Sequence, residues 1–206
     1  MLSQLLPRWF QARDTPSEHS REVSYGRHSA TLSPIGVPMI LWTIQPASTW
    51  ATWQREGTLS SAWHHTPIEL RPQYEWMAQR FAQLVPAPSA SAALVWAWLQ
   101  FGGAARARPD LRRRAHLPPR TPGVRIELQL DATEVLLSDF ELWHFVLNGW
   151  PIPPRGTIHS ANWSRIFDLQ FRHRDVALPF HMKRIQAVFW SAPLSSIRSV
   201  TPFVAR

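Results

Sequence analysis

Apolar and polar positions alternate, or run together, in a few short segments that predict β-strands. Residues 40–45 and 94–101 are rich in β-branched and aromatic side chains, which predicts two buried strands. Residues 124–130 alternate apolar with polar positions, as a half-exposed strand does. Residues 185–190 and 197–204 are two more apolar segments. Only a turn with proline and serine separates them, which predicts a terminal hairpin.

Apolar residues that recur every three or four positions predict helices. One begins at a Ser48 cap and ends at Gly57, a residue suited to the left-handed position after a helix. A second has Pro72 in its first turn and carries Tyr74, Met77, Phe81 and Leu84. A third is capped by Ser138 or Asp139 and bears Phe140, Trp143, His144 and Leu147. Strands and helices are interspersed without a regular βαβ rhythm, so the expected class is α+β.

Residues 1–38 are polar, are interrupted by proline, glycine and serine, and show no sustained period. This pattern predicts a flexible N-terminal extension, followed by a single domain over residues 39–206. Met39 directly precedes the first predicted strand, which raises the hypothesis that translation starts at Met39 as an alternative to Met1. An intact-mass measurement of the natively expressed protein would test that expectation.

The composition is that of a globular protein, with 45% hydrophobic and 17% charged residues. Twelve tryptophans are many for 206 residues, and some of them are expected to line a pocket or face a partner. The absence of cysteine excludes disulfides, thiolate nucleophiles and cysteine-based zinc sites. No apolar run approaches the roughly 18–20 residues that span a bilayer, and the start lacks the apolar core of a signal peptide. We therefore expect a soluble, cytoplasmic protein.

Positive charge is concentrated in one segment of a chain whose net charge is +8. Lys183 is the only lysine, and seven arginines fall within residues 106–125. An arginine-rich composition is typical of a GC-rich bacterial genome, but arginine is also the better bidentate ligand of phosphate. The segment predicts either a solvated loop or a nucleic-acid contact. No phenylalanine, tyrosine or tryptophan lies between Gly102 and Gly123, which weighs against the nucleic-acid contact.

Few residue patterns in the chain point to a specific chemistry. Nine histidines form no HExxH motif, and the adjacent His64 and His65 do not converge on one ion, so no metal is expected. Trp143 and His144 predict either a pocket wall or a capped helix with a buried histidine. Arg112 with Asp110 predicts a loop-stabilising ion pair or a phosphate clamp.

Several blocks together resemble an uncharacterised bacterial family of small cytosolic proteins, best described as a domain of unknown function. The blocks are LWTIQ at 41–45, YEWM at 74–77, WAWLQF at 96–101, RPDLR at 108–112, VLLSDFELWHFVLN at 135–148, RIFDL at 165–169 and IQAVFW at 185–190. The resemblance covers residues 40–204 and supports the domain boundaries more than any activity.

The order of a first strand, a helix ending in glycine and two late strands resembles the ADP-ribosyltransferase fold, whose split, mostly antiparallel sheet grips NAD. In one branch the first strand reads aromatic-His-Ile-Thr. Thr43 replaces that histidine here, and Gln45 falls on the threonine. A glutamate of the late strand aligns with Gln186, which cannot act as a base but can bond a ribose hydroxyl.

This second resemblance implies a divergent NAD-binding transferase that modifies a macromolecule. Gln186 and Thr43 are its candidate catalytic residues, and its candidate cofactor-binding residues are Gln45, Trp98, Arg112, Trp143 and His144. Trp98 would stack on the nicotinamide or adenine, the two glutamines would hold ribose, and Arg112 would meet phosphate. A nucleic-acid-binding module that uses residues 106–125 and a non-enzymatic protein-interaction domain are the alternatives.

Overall fold

The computed structural model describes residues 36–114, 116–152 and 160–206. Its strands are β1 Pro38–Pro46, β2 Thr58–Ala62, β3 Ala92–Ala93, β4 Val95–Gln100, β5 Pro122–Asp131, β6 Leu136–Asp139, β7 Ile185–Phe189, β8 Ser191–Pro193 and β9 Ile197–Val204. Its α-helices are α1 Ala47–Glu56, α2 Arg71–Ala82 and α3 Phe140–Leu147, and a 3₁₀ helix spans Ser160–Phe167. The predicted extension, residues 1–38, lies outside the described residues except for its last three.

The strands form two antiparallel sheets. The larger has six strands in the order β6-β7-β4-β1-β5-β9, and the smaller has three in the order β3-β2-β8. Every described strand pairing is antiparallel. Mixed helices and antiparallel sheets confirm the α+β class.

The predicted terminal hairpin is wrong, because three strands separate β7 from β9 in the large sheet. After β7 the chain leaves this sheet, and β8 pairs with β2 in the smaller one. The chain then returns at the far edge, where β9 pairs with β5. Pro202 has no N–H to donate, so β9 suits an edge position.

Helix ends follow the sequence only in part. Ser48 does not cap α1, because the helix starts one residue before it and Pro46 occupies the cap position without a side-chain hydrogen bond. Gly57 ends α1 with a φ of 76°, as predicted. Pro72 lies in the first turn of α2, also as predicted. Leu84 lies beyond the end of α2 and is 43% exposed, so it is not part of the helical face.

Apolar side chains pack on both faces of the large sheet. On one face, called here the α3 face, Val188 of β7 packs with α2 and α3 through Phe81 and Trp143. On the other, called the α1 face, Leu41 and Ile126 pack with α1, β2 and β8. Burying a large apolar side chain contributes about 1.5–3 kcal/mol, so both layers stabilise the sheet.

A buried ion pair fixes the start of α3. Asp139 caps the helix by accepting hydrogen bonds from the backbone N–H groups of Glu141 and Leu142, at 2.9 and 3.3 Å. Its second oxygen accepts a hydrogen bond from the Lys183 ammonium, and both side chains are 1% exposed. The pair ties α3 to the segment that leads into β7. Of the two predicted caps, Asp139 is therefore the one used.

Candidate functional site

The neighbouring strands β1 and β4 pair at a single register position, where Trp42 lies opposite Trp98. β1 pairs with β5, by contrast, over its whole length. Beyond the tryptophan pair, the Thr43 hydroxyl donates to the Trp96 carbonyl at 2.8 Å. Gln45 then donates to the Thr43 hydroxyl at 2.8 Å. The Thr43 side chain thus bridges the two strands where the backbone ladder stops, and we call this place the fork.

A cleft of about 790 Å³ opens at the fork. Its walls come from the end of β1, one side of α1, β2 with the residues after it, and the start of β4. It is lined by Gln45, Pro46, Ser48, Thr49, Thr52, Trp53, Glu56, Ser60, Ser61, Ala62, His64, His65, Leu94, Val95 and Trp96. The volume lies within the roughly 300–1,000 Å³ of small-molecule and cofactor sites. We call it the fork cleft.

The fork cleft is lined by three consecutive residues at the start of β4: Leu94, which directly precedes the strand, and Val95 and Trp96, which begin it. Successive side chains of a strand point to opposite faces, so three neighbours reach one cavity through their backbone edge. Leu94 and Val95 indeed pack into the two different core layers. β4 therefore presents its backbone edge to the fork cleft, where the Trp96 carbonyl already accepts the hydrogen bond from Thr43.

The N-terminus of α1 forms part of the same wall, through Pro46, Ser48 and Thr49. No side chain caps this helix, and its first turn carries no acidic residue. The first N–H groups of a helix lack partners within the helix and carry partial positive charge, so such an end favours anions. An anionic group in the fork cleft would meet this end of α1.

The rest of α1 and the β2 side supply hydroxyl, carboxylate and imidazole groups. Trp53 is 4% exposed, and its indole N–H donates to the Ser60 carbonyl at 2.8 Å, which fixes α1 against β2. Glu56 is the one carboxylate of the lining among the described residues. His64 and His65 are both exposed, with ring centroids 3.9 Å apart. The lining is thus polar on two sides and has a single acid.

The structure divides the proposed catalytic and ribose-binding residues between the two faces of the large sheet. Thr43 and Gln45 lie at the fork, on the α1 face. Trp98 is the register partner of both Trp42 and Gln186, which puts Trp98 and Gln186 on the α3 face. Thr43 follows Trp42 directly and so points the opposite way. The expected convergence of Thr43, Gln45, Trp98 and Gln186 on one cleft does not occur.

Trp143 and His144 lie on α3 and are buried. Trp143 is 2% exposed and packs against Trp96 at 5.2 Å between ring centroids. The Nδ1–H of His144 donates to the Phe140 carbonyl at 2.9 Å. Burial lowers the pKa of His144 below its usual value, so the ring is neutral near pH 7. Both residues fit the capped helix with a buried histidine, which was one of the two predicted alternatives.

Arg112 lies on the loop between β4 and β5, not in the fork cleft. Its guanidinium contacts both oxygens of Asp110, with Nε–Oδ1 at 2.9 Å and Nη2–Oδ2 at 2.8 Å. This contact holds the pKa of Asp110 well below its usual range. The predicted loop-stabilising ion pair is therefore present.

Gln186 lies close to other buried polar groups on the α3 face. Its register partner on β6 is Ser138. Within the described ranges, Gln186 Oε1, Ser138 Oγ and Trp96 Nε1 are buried without a hydrogen-bond partner. Such atoms commonly bind ordered water. Gln186 belongs to this polar group under α3 and is separated from the fork cleft by the sheet.

Several residues of the fork cleft were not predicted as site residues. Glu56, Ser60 and Ser61 belong to no motif, and Trp53 fits the apolar side of a helix equally well. His64 and His65 are conspicuous as a pair, but their spacing suits no metal. Across the described residues, no three histidine or acidic side chains come together in a group that could hold a metal ion.

None of the described helices combines the length and apolarity needed to cross a membrane.

No curated protein and no solved structure matches the chain. A family model does match, over residues 40–157. That range runs from β1 past the end of α3, so it contains the whole fork cleft and the arginine-rich loop but not β7 to β9. It covers more than half of the sequence, and the chain therefore belongs to the family described as "Domain of unknown function (DUF3841)".

Proposed function

We propose that this protein binds NAD or a related ADP-ribose nucleotide in the fork cleft, on a divergent ADP-ribosyltransferase-like fold. The observation that carries the proposal is a cleft of about 790 Å³ at a split in the sheet, with an uncapped helix N-terminus in its wall. A strand leading into a helix that ends at Gly57, and a sheet divided in two, further support the resemblance.

The pyrophosphate would lie at the N-terminus of α1. Two phosphates carry negative charge at neutral pH, and Ser48 and Thr49 add hydroxyl groups to the backbone N–H groups there. No acidic side chain in the first turn opposes them. This replaces the role first given to Arg112, whose guanidinium is held by Asp110.

The ribose and base would lie further along the fork cleft. Gln45 can bond a ribose hydroxyl through its amide oxygen while its NH₂ group donates to Thr43. The exposed rings of His64 and His65 supply flat surfaces for a base. Trp98 cannot stack on this ligand, because it lies on the other face of the sheet.

Glu56 is the base that ADP-ribosyl transfer would use in this cleft. In such a reaction, the bond between ribose C1′ and nicotinamide breaks and a nucleophile of a macromolecular acceptor bonds to C1′. Nicotinamide leaves with the bonding electron pair, and the acceptor's proton passes to a carboxylate. Gln186 cannot take that proton, and it does not reach the fork cleft.

Calorimetric titration and thermal shift with NAD test the binding site, with Thr49→Asp as the main variant. A carboxylate at Thr49 would repel the pyrophosphate, so NAD should bind about tenfold more weakly or worse. The same carboxylate should stabilise the unliganded helix by about 0.3–1 kcal/mol, so weak binding will not reflect unfolding. Thr49→Asn controls for shape, and Gln54→Asp places an equal charge on α1 outside the lining.

Activity is tested separately, by incorporation of labelled ADP-ribose into a cell lysate. Glu56→Gln should abolish incorporation and keep NAD binding, whereas Gln186→Ala should retain both. Failure of NAD and ADP-ribose to raise the melting temperature would refute the proposed site. So would undiminished binding by Thr49→Asp.

A further inference from the structure

Six aromatic rings form a continuous row on the α3 face of the large sheet. Neighbouring ring centroids are 6.3, 5.2, 5.0, 4.9 and 4.5 Å apart along the series Phe203, His116, Phe101, Trp98, Phe140 and His144. All of them except His144 are partly exposed. The row joins residues from β9, β4, α3 and the segments that flank β4 and β5, so only the folded chain assembles it.

Arginines cover the row at two points. The Arg113 guanidinium lies 5.9 Å from the centre of the Phe101 ring. That of Arg184 lies 4.3 Å from Phe140, while Arg184 Nε donates to Glu141 at 2.6 Å. Arg184 is therefore partly neutralised, whereas Arg113 is exposed and makes no ion pair within the described ranges.

The loop that carries Arg113, residues 102–121, is anchored beside the row. Arg125 donates to the Pro109 carbonyl at 2.9 Å, and the Arg120 N–H donates to Ala205 at 2.8 Å. Gly123 permits close packing, since a Cβ there would be 2.5 Å from Leu117 Cδ1. These contacts distinguish the segment from a loosely solvated run of charge.

The same loop presents a strong excess of positive charge. Its one acidic residue is Asp110, which is already paired with Arg112. Five other exposed arginines form no ion pair in the described part of the chain: Arg106, Arg108, Arg113, Arg114 and Arg120. The loop that contacts the aromatic row through His116 and Arg113 thus carries five guanidinium groups without an acidic partner in the described part of the chain.

We propose that the aromatic row and the adjoining arginines form a binding surface for single-stranded nucleic acid. Bases stack on aromatic faces regardless of sequence, and arginines beside them track the phosphates. A duplex keeps its bases paired and stacked, so it cannot use the rings. The fold brings in phenylalanine and tryptophan rings, which residues 102–123 themselves lack. This surface is independent of the fork cleft.

Fluorescence anisotropy with a labelled oligouridine of about 10 nucleotides, as RNA and as DNA, tests the electrostatic part. Each phosphate neutralised on a single strand contributes roughly 0.7 to the slope of log affinity against log salt. Removing three arginines should therefore reduce that slope by about 2, in the triple variant Arg108→Gln, Arg113→Gln, Arg114→Gln. A charge-matched control removes three exposed arginines elsewhere: Arg80, Arg172 and Arg174.

Phe101→Leu tests stacking, because it keeps apolar volume and removes the ring. It should weaken single-strand binding about tenfold. Phe171→Leu is the matched control, since Arg165 lies 5.0 Å above that ring outside the row. Circular dichroism confirms that each variant is folded.

Three results would overturn the proposal. They are equal affinity for a duplex of the same length, equal effects of Phe101→Leu and Phe171→Leu, and binding to anionic phosphatidylglycerol vesicles with none to the oligonucleotides. Preference for the single strand, together with loss on Phe101→Leu and the reduced salt slope, would establish the surface.

Discussion

Removing one charge of the Lys183–Asp139 ion pair should destabilise the protein severely. Each side chain is 1% exposed, so a charge left alone cannot regain its hydration. Loss of one partner of a buried ion pair costs about 3–5 kcal/mol. Asp139→Asn isolates this effect, because asparagine is also a good helix cap and the cap of α3 is kept. In a domain of this size, we expect a fall in melting temperature of about 6–20 °C.

Lys183→Met should lower the free energy of unfolding by less than Asp139→Asn does, near the lower end of the range of about 3–5 kcal/mol. The Asp139 carboxylate it leaves behind still accepts two backbone N–H bonds, from Glu141 and Leu142. The double variant leaves no unpaired charge. We therefore expect it to be more stable than the sum of the single changes implies, by at least about 2 kcal/mol.

Urea unfolding followed by tryptophan fluorescence measures all three variants. The exposed pair Arg112–Asp110, with side chains 79% and 41% exposed, serves as the comparison, and its cycle should show no comparable coupling. The reasoning would be refuted if the losses of stability of the two single variants, added together, equalled the loss in the double variant to within about 0.5 kcal/mol.

Two further predictions concern pH and glycine. Because burial lowers the pKa of His144, the unfolded chain takes up its proton first as pH falls below about 6.5, so stability should decrease from pH 7 towards 5. One histidine contributes at most about 1.4 kcal/mol per pH unit to the slope of the free energy of unfolding against pH. His144→Gln should remove this contribution, whereas His64→Gln, at an exposed position, should leave it in place. Gly57→Ala should cost about 1–2 kcal/mol, because φ is 76° with open space around it. Gly103→Ala should cost clearly more, since its Cβ would also be 2.7 Å from the His181 carbonyl oxygen, and urea midpoints that rank the two variants the other way would contradict this.

Local signals in the sequence predicted the local structure well. Gly57 and Asp139 ended and began helices as expected, because a left-handed glycine and a capping carboxylate act on their own turns. The same kind of reasoning failed for Ser48, where β1 continues to Pro46 and the helix starts at once. The separation of β7 from β9 could not be inferred, since β8 diverts the chain between them into the other sheet.

The sites depended on features that no short segment shows. The fork cleft arises because the β1–β4 ladder stops at Trp42 and Trp98, which is a property of two strands more than 50 residues apart. The sequence shows that apolar and polar positions alternate along the strands, but it does not show which face of the sheet each residue occupies. The sequence therefore predicts one site for Trp98 and Gln45, although the sheet separates them.

The buried position of Lys183 also determines how the protein reacts with its surroundings. It is the only lysine, so the folded chain exposes no side-chain amine to acylating agents. Enzymes that acetylate or conjugate lysine would find an acceptor side chain only after the domain opens. Reaction of Lys183 with an amine-selective reagent would therefore report unfolding at a single atom, against no background from other lysines.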